Sequence, residues 1–222
     1  AQDPRWASKR YDMIVAPAHD QASGDNVFEI TGSPHRIAPH AIAEKGEAFK
    51  SRLEPMPSPR ICVLVGGRSK AFDLDDDRAS LLADQVAELV ASSQGSVLLT
   101  FSRRTPDSAR SIISKRLAGL PGWIWDGEGD NPLFGFLRFA DHILVTQDSA
   151  NMAAEAAATG KPVYILPMTP RTSGDKFARL HEDLEARGAA RPFSGVLDGA
   201  PYAPLEETDR AAHAVLEAMA TR

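Results

Sequence analysis

Residues suited to chemistry first appear where an apolar run of the chain ends in a pair of glycines. Gly66, Gly67, Ser69 and Lys70 follow the apolar run Arg60–Val65. Backbone N–H groups of a glycine-rich turn, a hydroxyl and an ammonium group are all donors for phosphate oxygens. The spacing matches neither a dinucleotide fingerprint, which needs a third glycine, nor a Walker loop. The segment therefore predicts a phosphate-binding loop, with a tight structural turn as the alternative.

A second group of candidate ligands follows the next apolar run, Ser96–Phe101. Ser102 offers a hydroxyl, and Arg103 and Arg104 offer two adjacent guanidinium groups. Guanidinium groups bind phosphate and carboxylate oxygens through paired hydrogen bonds. We expect these residues to bind an anion, with solvated surface charge as the alternative.

A third group surrounds the start of an alanine-rich segment. Asp148 and Ser149 follow the apolar run His142–Thr146, and either can cap the N-terminus of a helix. The same N-terminus attracts phosphate because its N–H groups lack partners. Glu155 lies among alanines, where a carboxylate needs a partner, either a ribose diol or the cation of a salt bridge.

The sequence offers few candidate catalytic residues besides these candidate ligand-binding groups. His19 and Asp20 end the first predicted strand and could act as an acid–base pair, although a histidine at such a position is often structural. The run 75–77 of three aspartates is suited to capping a helix rather than to binding calcium. His181 lacks the second histidine of a zinc-protease motif, and no nucleophile elbow is present. The sequence predicts no metal site.

Strands that alternate with helices must position these groups. The predicted strands are 11–16, 27–31, 60–65, 96–101, 122–125, 142–146 and 162–166. The predicted helices are 40–52, 78–92, 106–117, 131–139, 149–159, 176–187 and 206–219. This alternation predicts an α/β fold, a Rossmann-like parallel sheet with helices on both faces. Ligands of such sheets bind beyond the carboxyl ends of the strands, where the candidate residues above are found.

Composition limits the class of protein further. The 222 residues carry 25 Lys and Arg against 30 Asp and Glu, a net charge of −5, which argues against a nucleic-acid surface. Cys62 is the only cysteine, so an intrachain disulfide is excluded, and no apolar run is long enough to span a membrane. Two strands and one helix before the proline-rich segment 54–59 are too few for a separate core. We therefore expect a partial first domain with its linker over 1–57, a nucleotide-binding domain over 58–222, and a cytoplasmic location.

Several strings occur in the order seen in the mitochondrial fission Elm family, which the chain resembles from about Pro4 to its end. They are Pro17-Ala-His-Asp20, Asn26-Val27, Thr31-Gly32, Val65-Gly-Gly-Arg-Ser-Lys70, Ser102-Arg-Arg-Thr-Pro106, Asn131-Pro132, Val145-Thr-Gln-Asp-Ser-Ala-Asn-Met152, Glu155-Ala156 and Thr159-Gly-Lys-Pro162. Typical members carry a further stretch of first-domain residues ahead of the position of Arg5.

The family resembles GT-B glycosyltransferases, in which two Rossmann-like domains face each other across a nucleotide-sugar cleft. By this resemblance the helix that begins near Ser149 holds the diphosphate, and Glu155 binds the ribose. The segment Trp125–Asn131 holds the base, and the helix over 206–219 crosses back to the first domain. The other binding residues that it implies are Gly66, Gly67, Ser69, Lys70, Ser102, Arg103, Arg104, Asn131, Asp148 and Met152.

Two functions follow from the resemblance. One is sugar transfer from a nucleoside-diphosphate sugar to an acceptor, without a metal or other cofactor, with His19 or Asp20 as general base. The other is a non-catalytic adaptor that recruits a protein partner, as in organelle fission, with peripheral membrane contact left open. A nucleotide-sugar epimerase of the Tyr-x-x-x-Lys type is excluded, because Tyr11, Tyr164 and Tyr202 have no lysine four residues on.

Overall fold

A central parallel sheet organises the protein, of which the structure, a computed structural model, describes residues 10–220. The strands are β1 (Ile14–Pro17), β2 (Val27–Ile30), β3 (Arg60–Val65), β4 (Phe72–Asp73), β5 (Ser96–Phe101), β6 (Gly122–Ile124), β7 (His142–Thr146), β8 (Val163–Leu166), β9 (Thr169–Pro170) and β10 (Ala190–Pro192). The helices are α1 (Pro39–Gly46), α2 (Lys50–Leu53), α3 (Asp76–Ser93), α4 (Asp107–Leu117), α5 (Leu133–Phe139), α6 (Ala150–Ala157), α7 (Asp175–Ala186) and α8 (Glu207–Ala220).

The main sheet has six parallel strands in the order β10-β8-β7-β3-β5-β6. Strand β3 lies near the centre, where Val63 pairs with Leu99 of β5 on one side and with Leu144 of β7 on the other. Its side chains from Ile61 to Val65 are buried, as the continuous apolar run requires of a strand covered on both faces. The predicted parallel α/β fold is confirmed.

Helices cover both faces of this sheet. On one face Leu82 and Val86 of α3 and Ile113 of α4 pack with alternate residues of β3 and β5. On the other face Phe136 of α5, together with residues of α6 and α7, packs on the remaining residues, Leu98 among them. The chain changes face between β6 and β7, so the loops after β3 and β7 lie next to each other at a topological switch point.

The segment ahead of the main sheet forms a small sheet and joins the main core. Strands β1 and β2 pair in parallel, with Ile14 opposite Val27. Beyond them, Ile37, Ile42 and Leu53 are buried in the same cluster as α5 and α6. Helix α8 packs against β2, so the last helix lies beside the small sheet.

The structure differs from the predicted elements in one helix and in three short strands, since β4, β9 and β10 were not among the predicted strands. The helix predicted over 40–52 is interrupted after Gly46 by a 3₁₀ turn, Glu47–Phe49. A Cβ on Gly46 would lie 2.7 Å from Cδ of Arg138, so the chain bends where α5 crosses it closely. Strand β10 was not predicted, because three residues ending in Pro192 carry little pattern and occupy only the edge of the sheet.

A buried carboxylate fixes the first segment to α8. Glu207 is buried, and its Oε2 accepts a hydrogen bond from the backbone N–H of Thr31 at 2.7 Å and from Arg210 at 2.6 Å. The hydroxyl of Thr31 donates to Asp183 of α7 at 2.6 Å. Thr31 therefore connects the end of β2 to two helices of the larger unit.

We expect Glu207→Ala to lower the free energy of unfolding by about 1–3 kcal/mol, because it leaves the N–H of Thr31 buried without an acceptor. Urea denaturation followed by circular dichroism measures this loss. Glu207→Gln is the matched control, because its amide oxygen can still accept the bond. An equal loss in both variants would show that the charge, rather than the hydrogen bond, carries the effect.

Candidate functional site

The buried carboxylate of Asp148 connects the loops that follow three neighbouring strands. Its Oδ2 accepts the backbone N–H of Gly67 at 3.0 Å and pairs with Nη2 of Arg104 at 2.9 Å. Its Oδ1 accepts the hydroxyl of Thr146 at 2.8 Å, and that hydroxyl in turn accepts the N–H of Gly66 at 2.7 Å. The loops after β3, β5 and β7 are therefore held in one arrangement by a single side chain.

The two glycines after β3 are required by this arrangement. A Cβ on Gly66 would lie 1.9 Å from Oδ1 of Asp148, and a Cβ on Gly67 would lie 2.1 Å from the carbonyl oxygen of Arg104. No larger residue fits unless the loops move apart. Both glycines are buried, so in this structure they pack against protein atoms.

The adjacent arginines after β5 have different environments. Arg104 is engaged by Asp148, as described above. Arg103 is exposed and makes no hydrogen bond or ion pair within residues 10–220. Thr105 follows them as a buried residue whose hydroxyl bonds the carbonyl oxygens of Val65 and Gly66. Arg103 is therefore the cation of this loop that remains available to a ligand.

A cavity of about 190 Å³ opens beyond the carboxyl ends of β3, β5 and β6. Four residues predicted from the sequence line it together, namely Ser102, Asn131, Met152 and Glu155. Trp125, from the segment expected to hold a base, forms another wall. The structure thus brings together residues from four separate segments of the chain, at the place where parallel sheets bind ligands.

Glu155 is the most unusual group in this cavity. It is partly buried on α6, and within residues 10–220 it forms no hydrogen bond and no ion pair. Burial raises the pKa of the Glu155 carboxyl, and the nearby charge of Arg36 lowers it by a smaller amount. A carboxylate in such a position can accept the hydrogen bonds of a ligand that carries hydroxyl groups.

The N-terminus of α6 precedes this carboxylate by about one and a half turns of the helix. The hydroxyl of Ser149 caps the helix by accepting the N–H of Met152 at 3.3 Å. The first N–H groups of a helix have no acceptor inside the helix. Met152 and Glu155 are three residues apart, so they share one face of α6.

Residues 31–37 cross the outer side of α6, and of these only the Thr31-Gly32 string was singled out from the sequence. A Cβ on Gly32 would lie 2.6 Å from Cβ of Ala154, and Ser33 hydrogen-bonds Asn151 at 2.6 Å. The guanidinium of Arg36 then lies 5.8 Å from the centre of the Phe134 ring on α5. Arg36 is thereby placed between the two helices that border the cavity, a placement for which the local sequence gives no signal.

Other predicted site residues lie elsewhere. Ser69 and Lys70 line a separate, more open cavity of about 500 Å³, on the side of β4, together with residues 172–177. His19 is buried against α7, where its carbonyl oxygen accepts Arg179, and Asp20 forms an ion pair with Lys176. Burial, followed by the charge of Lys176, lowers the pKa of His19.

Across residues 10–220, no group of three or more histidine, cysteine or acidic side chains is arranged to hold a metal ion. Over the same residues, no helix combines the length and the apolar character needed to cross a bilayer.

Comparison with known proteins assigns the family. The family model of the mitochondrial fission protein ELM1 matches residues 1–219. The chain belongs to the mitochondrial fission ELM1 family. Among curated ELM1-type relatives, the mitochondrial fission protein ELM1 of Arabidopsis thaliana is 29% identical over 248 residues, covering 100% of this chain and 57% of that protein. The uncharacterized protein RP120 of Rickettsia prowazekii (strain Madrid E) is 32% identical over 204 residues, covering 89% of this chain and 56% of that protein. This ELM1-family chain thus spans rather more than half the length of these relatives.

Solved structures place the ELM1-family fold among GT-B-like proteins. UDP-GlcNAc 2-epimerase from Neisseria meningitidis, in a structure bound to UDP-GlcNAc, superposes with a TM-score of 0.55 at 16% identity. The match covers 90% of this chain and 50% of that one. An epimerase therefore shares this fold, so the missing Tyr-x-x-x-Lys pair excludes only epimerases that depend on such a pair.

We expect Asp148→Ala to lower the free energy of unfolding by about 1–3 kcal/mol, because the buried N–H of Gly67 and the hydroxyl of Thr146 lose their acceptor. Arg103→Ala changes an exposed side chain and should alter stability by no more than about 0.5 kcal/mol. Urea denaturation of both variants tests the contrast. Equal losses would contradict the different roles assigned to the loop residues.

We also expect Glu155→Gln to make the protein more stable than wild type at neutral pH. Because the folded pKa of Glu155 lies above its unfolded value, ionisation opposes folding as the pH rises through and above that interval. Below the interval both states are protonated and the penalty is absent. Thermal melting of both proteins from acidic to neutral pH measures the difference. A gap that does not widen as the pH rises would contradict the environment assigned to Glu155.

Proposed function

We propose that this protein binds a nucleoside-diphosphate sugar in the cavity beside α6 and transfers the sugar to an acceptor hydroxyl. The observation that carries the proposal is the partly buried, unpaired carboxylate of Glu155, which faces the same cavity as Ser102, Asn131 and Trp125. A ribose offers two adjacent hydroxyl donors, which are the partners that such a carboxylate lacks. The UDP-GlcNAc bound by the Neisseria epimerase, which has the same fold, supports this choice of ligand class.

The size of the cavity fits one end of such a ligand. At about 190 Å³ it is smaller than the roughly 300–1,000 Å³ of sites that enclose a whole drug-sized molecule. The nucleoside would occupy it, with the base near Trp125 and Asn131, and the diphosphate would extend along the N-terminus of α6. Exposed Arg103 lies on the neighbouring loop, where it can meet the phosphate oxygens.

The leaving group of the transfer would be stabilised by fixed positive charge. When the bond between the sugar and the diphosphate breaks, negative charge grows on the phosphate oxygens. The partnerless N–H groups at the start of α6 and the guanidinium of Arg103 supply donors there without a metal ion. Asp148 is not expected to contact the ligand, since its oxygens are already used by Gly67, Thr146 and Arg104.

The general base in this proposal is His19 or Asp20, the pair expected from the sequence. Burial lowers the pKa of His19, so its ring is neutral at neutral pH and can accept a proton. We expect His19→Asn to abolish sugar transfer while leaving the affinity for the nucleotide unchanged. A loss of nucleotide binding in this variant would instead show that His19 acts by holding the first segment against α7.

A thermal-shift screen against UDP, GDP, ADP, CMP and UDP-GlcNAc tests the binding step. A ligand at about 100 times its dissociation constant adds about 2.7 kcal/mol of stability, which appears as a raised melting temperature. For the nucleotide that binds, we expect Glu155→Gln and Arg103→Ala each to weaken affinity about tenfold, as loss of one charge-assisted hydrogen bond predicts. Lys115→Ala, an exposed lysine on α4 away from the cavity, is a matched exposed-cation control.

The outcomes separate the competing functions. Binding that is lost in Glu155→Gln, although this variant is more stable than wild type, would support the nucleotide site. A screen in which no nucleotide raises the melting temperature would overturn the proposal and favour the adaptor function. If UDP-GlcNAc binds and is converted to its 2-epimer without an acceptor, the site is an epimerase site instead.

A further inference from the structure

A third cavity, of about 310 Å³, lies on the opposite half of the main sheet. It is bordered by α7 and by the ends of β7, β8 and β10, whereas the nucleotide cavity adjoins β3, β5 and β6. Its apolar part includes Ile165, Pro167 and the ring of Phe193. Its polar part comes from Gln147, His181, Glu182 and Glu185. The proposed donor site uses none of these residues, although Gln147 belongs to one of the strings that the chain shares with its family.

Two of the polar groups have unused hydrogen-bonding capacity. Nε2 of His181 is buried and has no partner within residues 10–220. Burial, with a further contribution from the charge of His19, lowers the pKa of His181 to about 4, so the ring is neutral near pH 7 and offers one donor and one acceptor. Oε1 of Gln147 accepts the N–H of Met168 at 3.0 Å, and its amide nitrogen donates to no described residue. These groups match a ligand that both donates and accepts hydrogen bonds.

The charges around this cavity select against an anion. Glu182 and Glu185 are exposed one turn apart on α7 and carry two negative charges. The guanidinium of Arg191 also lines the cavity, but Asp198 lies 3.4 Å from it and offsets its charge. A phosphate or a nucleotide would be repelled, whereas hydroxyl or ammonium donors would find acceptors.

We propose that this cavity is a binding site for an uncharged or amine-bearing saccharide. Its volume is at the lower end of the range for small-molecule sites, which suits one sugar ring rather than a nucleotide sugar. The apolar face of the ring would pack against Phe193, and the hydroxyl groups would bond Gln147, His181 and the two carboxylates. That the bound saccharide is the acceptor of the transfer rests on the proposed function, whereas the binding itself does not.

Amide NMR spectra of the 222-residue chain, titrated with three probes, test this site. The probes are methyl β-D-glucopyranoside, D-glucosamine in slightly acidic buffer, and glucose 6-phosphate. We expect the glucoside and glucosamine to shift the signals of residues 147, 181 and 193. Glucosamine should bind about three to five times more tightly than the glucoside because its ammonium group meets an acidic rim, and glucose 6-phosphate should bind more weakly than either.

Variants separate the contribution of each group. His181→Phe replaces an unpartnered polar ring with an apolar one, so we expect it to fold normally and to lose the saccharide-induced shifts. Glu182→Gln combined with Glu185→Gln should remove the preference for glucosamine but keep binding of the glucoside. Glu88→Gln, an exposed change on α3, is the matched control and should behave as wild type.

The inference fails independently of the donor site. If none of the three sugars shifts the signals of residues that line this third cavity, it is not a saccharide site. The same conclusion follows if His181→Phe binds the sugars as wild type does. If UDP shifts residues 147 and 181 rather than 125 and 155, the cavity belongs to the nucleotide and the inference is also wrong. Saccharide binding in a protein that binds no nucleotide would support this site while the transferase proposal fails.

Discussion

The carboxylate of Asp148 is the interaction on which the candidate site depends. It is buried at the switch point of the sheet, where a lone negative charge would be costly, and it is satisfied by a backbone N–H, a hydroxyl and a guanidinium. Gly67 and Arg104 belong to the loops after β3 and β5, and Thr146 is the last residue of β7. Leu64, Ser102 and Met152 line the cavity and lie close to these positions along the chain. The geometry of the cavity therefore depends on a carboxylate that is not among the residues lining it.

This arrangement divides neighbouring residues into structural and available ones. Arg104 forms an ion pair with Asp148, and Gly66 and Gly67 allow the loops to pack closely around it. Arg103, in contrast, is exposed to solvent. A similar division occurs on α6, where alanines let the sheet and residues 31–37 approach closely and Glu155 alone carries charge into the cavity. The candidate site therefore combines a few side chains without hydrogen-bond partners among the described residues, such as Arg103 and Glu155, with neighbours that hold them in place through their own hydrogen bonds and packing.

Much of the fold and part of the candidate site could be predicted from the sequence, for identifiable reasons. The strand β3 is recognisable because its apolar run is continuous and ends in glycines, and Glu155 stands out because it interrupts a run of alanines. The role of Asp148 could not be predicted, since its partners lie 2, 44 and 81 positions away and only the strand order brings them together. Arg36 was missed for the same reason. The bend after Gly46 depends on how closely Arg138 approaches, which no local pattern encodes.

The burial of Ile37, Ile42 and Leu53 in the main core has a consequence for how the protein can move. These residues precede the proline-rich segment 54–59, yet they pack with α5 and α6 as part of the larger unit. Helices α1 and α2 therefore belong to the same packed unit as the main sheet, and separating them from it would expose the hydrophobic core. Any hinge between the β1–β2 sheet and the rest of the chain must therefore lie before Ile37, in the short segment that contacts α6 through Gly32 and Ser33.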